Sequence, residues 1–139
     1  MPLVGGGGAG NVAGGNPAGT GTGLNYIGDH AYAYSGSITA SNSSSADTTM
    51  LDFSTGQHFV VGTVAFQTTE HAANIIYFEV LVNGESIIAG AWDNSGSGQA
   101  SANTPIDLVL PSFSRIQVKW GISGGSGANG TAQISGRTI

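Results

Sequence analysis

Apolar residues fall on every second position between 115 and 122: Ile116, Val118, Trp120 and Ile122 alternate with Arg115, Gln117, Lys119 and Gly121. A period of two buries one face of a β-strand and leaves the other in water. Tyr32, Tyr34 and Ile38 share one parity, as do Val60, Val64 and Phe66, and Ile106, Leu108 and Leu110. No window of useful length carries apolar residues at helical spacing without glycine or β-branched interruptions. Eight strands are predicted, over 31–40, 48–53, 58–69, 75–82, 85–92, 105–110, 113–122 and 130–138.

Turn chemistry separates these runs. Asn83-Gly84 lies between two β-branched stretches. It is the strongest short hairpin signal, because a type I′ turn requires positive φ at both central residues. The register it predicts sets Val82 against Glu85 and Val80 against Ile87. Asp93 to Thr104 is a long polar loop and a candidate contact surface. Eight short strands punctuated by turns predict an all-β protein, a sandwich of two four-stranded sheets in jelly-roll order.

The pattern stops short of the N-terminus. The first charged side chain is Asp29, and the preceding residues are dominated by glycine, including the run Gly5 to Gly8. Glycine is the residue most costly in entropy to order. Such a segment cannot bury enough apolar surface to fold by itself. Two units are therefore expected, an extended arm over 1–28 and a jelly-roll sandwich over 29–139. The arm reads as an assembly strap laid on a neighbouring chain.

Composition sharpens the reading towards assembly. Charged residues make up 8% of the chain and glycine supplies 24 of its 139 residues. A surface this poor in charge does little to keep copies apart. The net charge is −5, with Arg115, Lys119 and Arg137 as the cations. No basic patch exists for nucleic acid or for anionic lipid. No run approaches the ~20 apolar residues of a membrane-spanning helix, and no signal peptide is read at the start. Without cysteine there is no disulfide, thiolate metal site or cysteine nucleophile.

Candidate chemistry is sparse. Gly5 to Gly10 fits G-x-G-x-x-G by letter, yet no strand precedes it and no helix follows. His30, His58 and His71 lack metal-ligand spacing, and the adjacent pairs Asp29–His30 and Glu70–His71 would point to opposite faces of a strand. The eight carboxylates are scattered, and no Gly-x-Ser-x-Gly elbow is present. Asp93 to Gly96 resembles part of a calcium loop without its acidic spacing or closing glutamate. No catalytic residue, metal or cofactor is assigned. Trp120 is read as core. Trp92 borders the long polar loop, as an interface or core residue or as a sugar-stacking platform.

Three phrases carry a resemblance: Tyr26-Ile27-Gly28-Asp29-His30-Ala31-Tyr32, Thr48 to Gly56, and Ile106 to Ile116. On these, the region from Tyr26 to Ile139 resembles the jelly-roll capsid decoration, or cement, proteins of tailed phages, cyanobacterial and marine ones especially. The resemblance implies a virion protein on the capsid surface, often trimeric, seated on the major capsid protein and without catalysis. The expected partner contacts are Leu24, Tyr26 and Ile27 as apolar anchors of the arm, with Trp92, Asp93 and Asn94 as a second set. The alternative is a tail-associated receptor-binding or carbohydrate-binding sandwich domain.

Overall fold

A computed structural model describes residues 24–40, 42–68, 75–93, 105–123 and 128–139, with the side chains of residues 92, 93 and 128 excepted. Ten strands form: β1 (Asn25–Ile27), β2 (His30–Tyr34), β3 (Ile38–Ala40), β4 (Thr48–Ser54), β5 (Val60–Thr68), β6 (Ile75–Val82), β7 (Glu85–Asp93), β8 (Ile106–Leu110), β9 (Arg115–Ser123) and β10 (Ala128–Thr138). The described residues contain no helix.

One sheet has six strands in the order β1-β2-β10-β5-β8, with β3 also paired to β10; the other has four, in the order β4-β9-β6-β7. Every ladder between these strands is antiparallel. Setting the edge strand β1 aside and counting β2 and β3 as one interrupted strand, the sheets read first-eighth-third-sixth and second-seventh-fourth-fifth. That is the jelly-roll order, two Greek keys folded into a sandwich.

The predicted strand 31–40 is broken at Ser35-Gly36-Ser37, where Gly36 takes φ 70°. Ser35 is buried at the break and fills the gap in the ladder. Its amide donates to the Ala132 carbonyl (2.9 Å), and the Ala132 amide donates to its Oγ (2.9 Å). The interruption inverts the facing of the strand. Before it Ala31 and Ala33 are buried; after it Ala40 is buried and Ile38 packs on the core. The shared parity of Tyr32, Tyr34 and Ile38 is thus split, and both tyrosines stand on the outer face.

The Asn83-Gly84 turn forms as expected, with φ 52° and 85°. Val82 pairs with Glu85, but Val80 pairs with Ile88 instead of Ile87, because a bulge lies between Val80 and Leu81. The unpaired Ile87 is consequently turned out to solvent.

Inward residues of both sheets make a single core. Phe66 stacks on Phe78 at 5.0 Å and meets Trp120 at 5.5 Å between ring centroids. Gly62 and Gly136 face each other across the β5–β10 ladder. A Cβ on Gly136 would lie 2.4 Å from the Val61 carbonyl oxygen, so only glycine fits that approach.

The arm ends earlier than its composition suggests. β1 pairs with β2 through Asn25↔Tyr32, Tyr26↔Ala31 and Ile27↔His30, so residues 24–27 belong to the sandwich. Residues 1–23 lie outside the described residues.

Candidate binding face

Ladder register assigns the outer surface of the six-stranded sheet row by row. One row runs Ile27, His30, Arg137, Val61, Val109. The next runs Asn25, Tyr32, Ser135, Thr63, Asp107, and the third Tyr34, Gln133, Ala65. Each row draws on strands distant in the chain, and only the jelly-roll order brings them side by side.

The first row is apolar at both ends. Ile27 is 68% exposed, and Val61 and Val109 are exposed partners across the β5–β8 ladder. Phe59 and Ile139 extend this end of the sheet; both are exposed, and the Ile139 amide donates to the Phe59 carbonyl at 2.9 Å. Phe113 projects from the β8–β9 turn, 78% exposed, with φ 52°. A bulky residue rarely adopts positive φ, and one held there against that cost points towards function.

The turn is held by its neighbour. Thr55 Oγ1 donates to the Pro111 carbonyl (2.6 Å) and accepts the Ser114 amide (2.8 Å), while the Thr55 amide donates to the Ser114 carbonyl (2.8 Å). The Phe113 amide donates to the Gly56 carbonyl (2.9 Å). These bonds fix the backbone that presents the Phe113 ring.

In the centre of the face, His30 Nδ1 lies 3.2 Å from Asp29 and Arg137 Nη1 lies 3.9 Å from it. Thr63 Oγ1 donates to Asp107 at 2.9 Å. Beyond them Tyr32 and Tyr34 stand two residues apart on one strand face, ring centroids 5.2 Å apart and planes at 43°.

The four-stranded sheet presents a different surface. Its outer rows place Lys119 between Thr49 and Glu79, and Gln117 between Asp52 and Leu81. Arg115 grips Asp52 with two hydrogen bonds, Nε at 2.9 Å and Nη2 at 2.7 Å. The guanidinium holds the Asp52 carboxyl below the usual carboxylate range, against a smaller opposing effect of burial. On this face Arg115 and Asp52 form an ion pair, whereas the other face is aromatic and aliphatic at its margins.

The contact residues expected from sequence divide three ways. Leu24 is 0% exposed and belongs to the protein's own core, so it is not an anchor for a partner. The pairing of β1 with β2 carries it inside. Tyr26 also packs against the core, and its hydroxyl is hydrogen-bonded by the Gly56 backbone; burial raises its pKa despite that bond. Ile27 alone of the three is presented to solvent. The Trp92 and Asp93 side chains and the whole of Asn94 lie outside the described residues. Sequence reasoning missed Phe59, Val61, Val109 and Phe113. Val61 and Val109 could have been found as the odd-parity apolar residues within strands already aligned on Val60 and Leu108.

Among the described residues no three His, Asp or Glu side chains converge on a point that could hold a metal ion. No family model and no curated protein matches the chain. It is similar in structure to the infectious bursal disease virus VP2 subviral particle, with TM-score 0.42 and 14% identity over 99% of this chain and 37% of that one. It is also similar to an exo-β-1,3-galactanase from Phanerochaete chrysosporium with galactose, with TM-score 0.39 and 15% identity over 79% of this chain and 30% of that one. The chain thus spans just over a third of the first protein and under a third of the second. The jelly-roll assignment rests on strand order and register, and neither neighbour's role passes to this chain.

Proposed function

We propose that the protein is a non-catalytic structural component of a phage virion, a capsid decoration protein that docks on the major capsid protein and bridges its subunits. The observation that carries this is the apolar end of the six-stranded sheet, where Val61 and Val109 pair across the β5–β8 ladder, Ile139 pairs with Phe59, and all four are exposed. Scattered exposed apolar residues are ordinary, but a clustered set marks a surface that another protein covers. The mechanism is interfacial: a protein that binds the assembled shell in preference to its free subunits stabilises the shell by mass action. Weak contacts repeated over a symmetric lattice add through avidity, most effectively if the protein docks as a trimer.

The test is occupancy on purified particles. Val61→Asp and Val109→Asp place a charge on the outer face without touching the core. Each is expected to lower occupancy by at least tenfold while leaving the unfolding midpoint nearly unchanged. Unchanged occupancy in both variants would overturn this docking surface. Density for the chain on the tail instead of the head, in a map of the intact particle, would replace the decoration reading with a tail-associated one.

A further inference from the structure

At the other end of the same sheet lies a cleft of about 270 Å³ lined by Tyr34, Ala65, Gln67, Thr131 and Gln133. It adjoins a shallower one of about 560 Å³ that includes Ile27, His30, Tyr32, Ser135 and Arg137. Tyr34 lines both, so the two form one track along β2 and β10. Thr131 and Arg137 lie six positions apart on β10, a distance of roughly 20 Å along a strand. The Gln67 end of the track is therefore set well away from the apolar patch around Val61 and Val109.

The chemistry of this end is specific. It holds an aromatic ring, two neutral carboxamides and a hydroxyl, with no charged group among its lining residues. An apolar protein side chain would leave the carboxamides and hydroxyl unpaired, at a cost. A charged ligand would find no counter-charge at this end, and Arg137 in the adjoining cleft lies 3.9 Å from Asp29. A pyranose satisfies both halves of the site. Its C–H face packs on an aromatic ring, and its hydroxyls donate to and accept from Gln67, Gln133 and Thr131 side chains. The tilted Tyr32–Tyr34 pair continues the platform towards a second sugar unit. Placement on strands, instead of loops, holds these groups at fixed spacing before any ligand arrives.

We infer that the Tyr34–Gln67–Gln133 cleft binds a neutral oligosaccharide, with one hexose stacked on Tyr34 and the chain running towards Tyr32. This goes beyond the structural role proposed above: the cleft shares a sheet face with the Val61–Val109 patch but lies towards the opposite end of β10, and it gives the protein a glycan-binding function of its own.

The experiment screens the full chain on an array of neutral and uronic-acid oligosaccharides and follows hits by amide chemical-shift titration. Binding of neutral glycans is expected, with shifts concentrated at Tyr34, Gln67, Thr131 and Gln133. Tyr34→Ala should weaken it about tenfold, the loss of roughly one aromatic stacking contact. Tyr34→Phe should retain most of it, and Tyr77→Ala on the opposite sheet should change nothing. No glycan bound at millimolar concentration, or binding indifferent to Tyr34→Ala, would overturn the inference. So would a Tyr34→Ala variant that loses capsid occupancy, because the cleft would then belong to the docking surface. Loss of occupancy in the Val61→Asp variant with glycan binding intact would support both readings separately.

Discussion

Tyr26 shows how one residue serves the fold in a place where its sequence context suggested a partner. Its ring packs on the core from the edge strand β1, and its hydroxyl meets the Gly56 backbone in the turn that leads from β4 to β5. Tyr26→Phe keeps the packing and removes that hydrogen bond, so at neutral pH it should destabilise the protein by about 1 kcal/mol. The alkaline response carries a second signature. Burial raises the pKa above the ordinary 10.0 in the folded state. The unfolded chain therefore releases this proton at lower pH than the folded one. The associated stability is complete below about pH 10 and is lost as pH rises through the folded value. Urea unfolding between pH 8 and pH 11 should show a steeper alkaline decline for wild type than for Tyr26→Phe. Parallel declines would mean that Tyr26 titrates alike in both states.

At the scale of elements, the β8–β9 turn is the clearest case of one loop built by another. Thr55 is buried, and its hydroxyl both donates to Pro111 and accepts from Ser114. Thr55→Val keeps the shape and leaves a buried amide and carbonyl without that partner. A loss of about 1–3 kcal/mol is expected, together with faster amide exchange at Ser114. If exchange there stays at the wild-type rate, the turn is held by other means. This dependence also explains what the sequence could and could not disclose. Asn83-Gly84 encodes its turn locally, and β9 encodes its burial by alternation, so both were legible. The facing of Tyr32 and Tyr34 was not, because it depends on the interruption at Ser35 to Ser37, which acquires its hydrogen bonds from Ala132, 97 residues from Ser35. The glycan cleft was illegible for the same reason. Tyr34, Gln67 and Gln133 are neighbours only through the ladders of β10 with β2 and β5.

For the whole molecule, the decisive boundary falls between residues 23 and 24. Composition alone places Leu24 in the glycine-rich arm, since nothing near it in sequence offers it a core. The sandwich offers one: β1 joins the edge of the six-stranded sheet, and Leu24 is among the largest fully buried side chains. Two truncations, one residue apart, therefore separate folding from assembly. A chain beginning at residue 24 keeps the Leu24 side chain and sets the reference stability for the comparison. A chain beginning at residue 25 lacks the Leu24 side chain and should lose about 2–5 kcal/mol, the cost of a buried leucine's volume. Denaturant unfolding of the pair measures the difference. Particle occupancy then isolates the contribution of residues 1–23, because the chain from residue 24 retains every described residue. If residues 1–23 lie over a neighbouring capsid subunit, that chain should show occupancy reduced several-fold. Full occupancy would leave docking to the patch around Val61 and Val109 alone.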